Sequence, residues 1–250
     1  MISPVRFVAA SLLGCFLMFS VGARAAEVTV LCSVALETVL REAVPPYEKA
    51  TGDRVIVTYA SSAPLKARID GGAAFDVAVL TPGMIADLVT GGVVDGVSVR
   101  TVAVANVGIA VRSGAVLPDI STAAAMKAAL QAAPSVASSV AGQSRVGFLA
   151  ALKTLGIVDE VNAKTKIISV GSTGEAVARG EAAMAVQLMP ELMAVAGVDV
   201  VGPFPAELQM PVVLTAGVRS GAAGAAGAFV AYLGTPEVAR VIRAKGMEPG

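Results

Sequence analysis

Residues 57–72 read VTYASSAPLKARIDGG: an apolar run, two adjacent hydroxyls, a proline, a short stretch at helical spacing and two glycines. The run 55–59 predicts a strand and residues 63–70 a helix stopped by Gly71 and Gly72, so Ser61 and Ser62 stand where a strand hands over to a helix. The same handover lies on either side. Upstream, 28–31 reads as a strand and 37–50 as a helix with Leu40, Ala43 and Tyr47 on one side, closed by the turn at 51–53. Downstream, 76–80 reads as a third strand, and Thr81-Pro82 opens a helix with a capping hydroxyl and a proline at the first helical position. Strands that alternate with helices in this way predict α/β layers around a parallel sheet covered on both faces.

The apolar stretch 102–111 is long enough to leave one lobe and enter another. A second series follows. Ser121 caps a helix of Ala and Met, 135–139 is a strand, and 145–155 is a helix closed by Gly156. Residues 166–170 form a strand, and Ser172 and Glu175 frame the next helix with a capping box. A strand at 183–187, a helix from Pro190 and a strand at 198–201 complete the series. The run 210–218 is a second long extended segment, and 226–245 is helical with a break near Gly234-Thr235-Pro236. One outward and one returning strand divide the chain into a discontinuous lobe, 26–105 plus 206–250, and an inserted lobe, 106–205.

The first 25 residues read as an export leader: Arg6 near the start, an apolar run over 7–21, and Ala23 and Ala25 in A-x-A register. Gly14-Cys15 could mark a lipid-anchored processing site, but the run continues apolar past Cys15, which favours cleavage after Ala25 and a free periplasmic protein. The remaining 225 residues carry 17 basic and 19 acidic side chains. No basic excess is available to neutralise a phosphate backbone, which argues against nucleic acid as a partner. Cys32 alone survives processing, which rules out an intramolecular disulfide. No histidine is present, which removes the commonest general base, the Ser-His and Cys-His nucleophile pairs and the usual zinc sites. No metal or other cofactor is expected.

Ligands of open parallel sheets collect at the carboxyl ends of the strands, where helix starts present unpaired N–H groups and partial positive charge. Ser33, Ser61, Ser62, Thr81, Ser144, Arg145 and Gln187 all fall at such junctions and form the expected ligand set. Serine is also a preferred helix cap, so Ser62 alone reads as structure. The pair is more informative. One serine can cap while its neighbour turns outward, and Pro64 withholds an amide that a hydroxyl would replace. Thr81 and Ser172 lean towards capping. Arg145 reads as a surface charge or as a bidentate clamp on a carboxylate. Gln187 reads either as a core amide paired with backbone or as one that points both ends into a cleft, and Gln209 is a weaker member. Cys32 reads as a small buried filler, and Met184, Met189 and Met193 as core.

The runs VTVLCSVAL, YASSAPLKARIDGG, DVAVLTPGMIADLV, ALKTLGI and VARGEAAMAV resemble, in order and spacing over nearly the whole chain after the leader, the periplasmic molybdate-binding proteins of ABC importers. The resemblance implies a two-lobed type 2 periplasmic binding fold, each lobe a mainly parallel sheet flanked by helices and joined to the other by two crossing strands, with a small anion held in the cleft by a monomer that delivers it to an ABC permease. Two positions depart from the molybdate pattern. Ala35 stands where the family places a serine, with Ser33 two places earlier, and Leu188 stands beside Gln187 where the family has a tyrosine. With Arg145, these changes suit a small organic carboxylate better than a tetrahedral oxyanion. Relatives of the same broad group include aconitate isomerases, so an isomerase of an unsaturated tricarboxylate is the alternative, and a sensor that uses the same cleft is a third reading.

Overall fold

The computed structural model describes residues 25–250. The expected leader, including Cys15, lies outside these residues apart from Ala25. The chain opens β1(Glu27–Ser33), α1(Glu37–Thr51), β2(Arg54–Ala60), α2(Ser62–Asp70), β3(Val77–Leu80), α3(Pro82–Thr90) and β4(Arg100–Ala105). It continues β5(Val107–Arg112), α4(Ala123–Ala132), β6(Val136–Ser139), α5(Gln143–Leu155), α6(Val158–Asn162), β7(Thr165–Ile168), α7(Thr173–Ala178), β8(Met184–Leu188), α8(Met189–Met193) and β9(Val198–Pro203). It closes with β10(Val212–Val218), α9(Gly224–Leu233), α10(Pro236–Ala244) and β11(Met247–Pro249).

These strands make two sheets, ordered β11-β4-β10-β3-β1-β2 and β7-β6-β8-β5-β9. In the first, β1 pairs in parallel with β2 and β3, while β10 runs antiparallel to β3 and β4, and β11 antiparallel to β4. In the second, β6 pairs in parallel with β7 and β8, and β5 runs antiparallel to β8 and β9. Most strands in each sheet therefore share one direction, and the reversed ones belong to the segments that cross between sheets or end the chain.

The crossings are shorter than the sequence suggests. The apolar run 102–111 is two strands, β4 in one sheet and β5 in the other, separated by Asn106. The return passes through 204–211, which contains a turn of 3-10 helix at Ala206–Leu208, before β10 begins. Gln209 fastens the two crossings to each other. Its Oε1 accepts from the Val107 N–H at 2.9 Å and its Nε2 donates to the Val107 carbonyl at 3.0 Å. The Phe204 N–H donates to the same carbonyl at 2.9 Å. Gln209 thus belongs to the paired crossings, with both ends of its amide occupied by backbone.

Several local expectations need correction. Thr122, not Ser121, caps α4, its hydroxyl accepting from the Ala125 N–H at 3.1 Å. Met193 is exposed, not core, although Met184 is buried. The short helix α6 and the terminal strand β11 lack a periodic signal of their own and were not foreseen. Cys32 is fully buried, as a filler should be. One apolar cluster runs through both sheets, from Val28 and Leu40 to Ile109, Met126 and Phe148. Among the described residues no helix is long and apolar enough to cross a membrane.

Candidate functional site

Six parallel strands, β1, β2 and β3 in one sheet and β6, β7 and β8 in the other, end in helix starts. The carboxyl ends of the two sheets approach each other where α8, which follows β8, packs on the 3-10 turn Val34–Leu36, which follows β1. This is where the geometry concentrates chemistry.

In the first sheet, Ser33 ends β1, buried at 5% exposure, and its side chain makes no capping bond to the turn that follows. Ser61 occupies the N-cap position of α2 and is exposed, with its hydroxyl not used as a cap; Ser62 is the first helical residue and is buried. The expectation that one of the pair caps is therefore corrected: the extended backbone of Ser61 starts the helix without help from either hydroxyl. Thr81 likewise holds the N-cap position of α3 without a side-chain capping bond, because Pro82 at the first helical position already supplies a compatible backbone.

In the second sheet, Ser144 and Arg145 lie inside the first turn of α5, which begins at Gln143 after Gly142. Gly142 has φ 103°, a left-handed value that suits glycine, and this brings the helix start forward by two residues. Ser144 is buried, and Nη1 of Arg145 is buried with no hydrogen-bond partner among the described residues. Ser172 forms the expected capping box with Glu175. Gln187 is buried at the end of β8. Its Oε1 accepts from the Ser172 hydroxyl at 2.9 Å, the Thr173 N–H at 2.9 Å and the Thr173 hydroxyl at 2.8 Å. The acceptor end of this amide is therefore fixed on the start of α7.

Glu191, in the first turn of α8, is the residue the sequence reading missed. It is half-buried, and burial pushes its carboxyl up to about 6; the Leu188 N–H and the Gln187 amide hydrogen-bond to it and oppose this, and the negative charge of Glu37 across the interface adds to it. Glu37 itself is held by Arg41 at 2.6 Å. Arg41 also lies over the Tyr59 ring, 5.8 Å from its centroid. Tyr59 pairs in register with Cys32, and burial first, then nearby negative charge, pushes its phenol up to about 12. The Cys32 thiol is pushed up by burial and by Glu37, so it stays protonated and is a poor nucleophile. A signal for Glu191 exists in the sequence: it is the one charged residue in 182–198, an otherwise apolar stretch.

The structure thus brings Gln187 together with Ser172 and Thr173, and packs α8, which carries Glu191, on the turn after β1. Ser61 with Ser62, Thr81, and Ser144 with Arg145 occupy three separate strand-to-helix junctions, and among the described residues no hydrogen bond joins one of these junctions to another. Two hollows elsewhere, of about 440 and 480 Å³, lie against the first sheet beside α10 and beside α3; neither is lined by Arg145, Gln187 or Glu191.

Two sheets that meet at their carboxyl ends across a double crossing are the architecture of two-lobed binding proteins. Residues 28–248 match the family of bacterial extracellular solute-binding proteins, and the chain belongs to that family. It is 32% identical over 252 residues to an aconitate isomerase from a Pseudomonas species, with 95% of each chain covered. Its fold is shared by the periplasmic molybdate-binding protein of Azotobacter vinelandii, with TM-score 0.71 and 21% identity over 89% of this chain and 99% of that one. It is shared also by a sulfate-binding protein of Mycobacterium tuberculosis, with TM-score 0.69 and 18% identity over 90% of this chain and 87% of that one. The expected two-lobed α/β architecture and the kinship with molybdate-binding-like proteins both hold.

Proposed function

We propose that this chain is an exported, periplasmic, monomeric solute-binding protein that captures a small organic polycarboxylate between its sheets and presents it to an ABC permease. In this reading 26–105 and 206–250 form one lobe and 106–205 the other, hinged at Val107 and Gln209. The observation that carries it is Arg145: a guanidinium nitrogen buried without a partner in the first turn of a helix is a natural fork for a carboxylate. Ser33, Ser61, Ser62, Thr81 and Ser144 add neutral donors at neighbouring helix starts, which replace hydration lost when an anion is enclosed. Gln187 acts one step back, by holding the start of α7.

A thermal-shift panel tests the ligand class. A saturating tricarboxylate is expected to raise the melting midpoint by about 5–10 °C, from about 2.7 kcal/mol at a hundredfold excess over Kd and a few degrees per kcal/mol in a chain of this size. Molybdate, tungstate and sulfate are expected to leave it unchanged, and the reverse pattern would remove the polycarboxylate reading. A second reading, isomerisation of an unsaturated tricarboxylate, is favoured by the full-length similarity to an aconitate isomerase and by a carboxyl of raised proton affinity at the meeting of the sheets. Incubation with cis-aconitate separates the two: appearance of the trans isomer selects catalysis over capture alone.

A further inference from the structure

We propose that Gly147 is a positioning residue of the ligand site: because it carries no side chain, α5 seats directly on both crossings, and this seat fixes where Arg145 stands. The inference rests on the capture reading above, in which Arg145 grips the ligand. It starts from a cost. A glycine inside a helix is less favourable than alanine, since its freer backbone loses more on ordering. Gly147 lies inside α5 and is buried, so a packing reason is needed to keep it there. Gly83 in α3 and Gly227 in α9 have no such reason, since nothing comes within 4 Å of a Cβ built at either.

The reason at Gly147 is the pair of crossings. A Cβ there would lie 3.0 Å from Cγ2 of Val107 in the outward crossing, 3.6 Å from Cβ of Met210 in the return and 3.9 Å from the Met210 carbonyl oxygen. The last two are ordinary contacts. The first is tighter than carbon atoms usually pack, so Val107 or α5 must give by a few tenths of an ångström. Val107 is the side that holds. Its side chain is fully buried and, being β-branched, stiff about its first torsion. Its N–H and carbonyl are both engaged by the Gln209 amide, at 2.9 and 3.0 Å, and the carbonyl also accepts from the Phe204 N–H at 2.9 Å. The Asn106 carbonyl before it accepts from the Met189 N–H at 2.9 Å. Phe148, the next residue of α5, widens the seat: its ring lies 6.4 Å from that of Phe204, and α5 touches the 3-10 turn Ala206–Leu208. An added methyl therefore lifts α5 off the crossings, and with it the first turn that carries Ser144 and Arg145. A guanidinium forks a carboxylate through two parallel hydrogen bonds, so its direction matters as much as its distance. Binding has to draw the helix back, and the strain relieved in the free protein returns in the complex as lost affinity.

Calorimetry with cis-aconitate on the full chain tests this. Gly147→Ala is expected to bind about tenfold more weakly than wild type, close to 1.4 kcal/mol and at the low end for overpacking. Val107→Ala removes the γ carbon that the methyl would meet, so in that background the same change at Gly147 is expected to cost less than about threefold. A glycine that served only the fold would lower the melting midpoint when replaced and leave Kd alone. Gly227→Ala controls for helix propensity and is expected to bind as the wild type does. Wild-type affinity in Gly147→Ala would overturn the assignment, and so would an equal loss in the two backgrounds. Should Gly147→Ala fail to fold alone, the double variant is compared with Val107→Ala: a gap of about tenfold overturns the seat, and one under about threefold upholds it. A wild type that does not bind cis-aconitate overturns the capture reading and this one together. Binding weakened by Arg145→Met but untouched by Gly147→Ala overturns the positioning alone.

Discussion

Substitution of Arg145 by methionine is expected to weaken polycarboxylate binding by about 100-fold, close to 3 kcal/mol, with little change in the stability of the ligand-free protein. The asymmetry is what makes the variant informative. An arginine that held the fold together would lose hydrogen bonds on truncation and lower the melting midpoint. Here Nη1 has no partner among the described residues, so removing it deletes a desolvated donor and no contact of its own, while methionine keeps the apolar stem that packs in the first turn of α5. Calorimetry with a tricarboxylate measures the first quantity and a denaturant melt the second. Affinity within about threefold of wild type would remove Arg145 from the site, and with it the main reason for preferring a carboxylate over a tetrahedral oxyanion; threefold is about 0.65 kcal/mol, below the loss of one charged hydrogen bond.

A second large effect is expected at Gly108, through the fold and not through the ligand. A Cβ at this position would lie 2.7 Å from the Gly202 carbonyl oxygen and would collide with the Met189 side chain. The methionine can move. The carbonyl cannot, because β5 and β9 are paired there: Gly202 pairs with Ile109, the register then shifts past Val201 to pair Ala110 with Val200, and the φ of 147° at Gly202 falls where glycine is favoured. Gly108→Ala is therefore expected to cost about 3 kcal/mol, at the upper end for overpacking, read as a lower urea midpoint with an unchanged slope. Gly83→Ala, in α3 with nothing within 4 Å of the added methyl, is the control and is expected to be neutral or slightly stabilising. Equal midpoints for the two variants would show that the β5–β9 approach is looser than described.

The alternation of strand and helix was legible because period and punctuation agree: Gly71-Gly72 stops α2, Gly156 stops α5 in a left-handed conformation, and Ser172 with Glu175 opens α7. The crossings were legible as extended apolar runs, but not their division at Asn106. A residue that changes sheets is set by tertiary pairing, which leaves no local pattern. The strand-end residues were found by type and position. What each hydroxyl does was not, since a serine at a helix start looks the same whether it caps, as Ser172 does, or leaves the amides alone, as Ser61 does. Glu191 escaped for a related reason. An acid in the first turn behind a proline reads as a favourable partner for the helix dipole. Its raised proton affinity comes from α8 meeting the other half of the chain, and from Glu37, more than 150 positions earlier in the sequence.

The apolar cluster that passes from one sheet to the other bears on how the molecule comes apart. Val28 and Val30 belong to the same packed body as Ile109 and Phe148, and the Gln209 amide stitches both crossings at the seam. Neither half can melt without exposing the other's interior. Loss of structure is accordingly expected to be all-or-none in a denaturant melt, a single sigmoid and not two steps, even though two sheets are joined only by a pair of short straps.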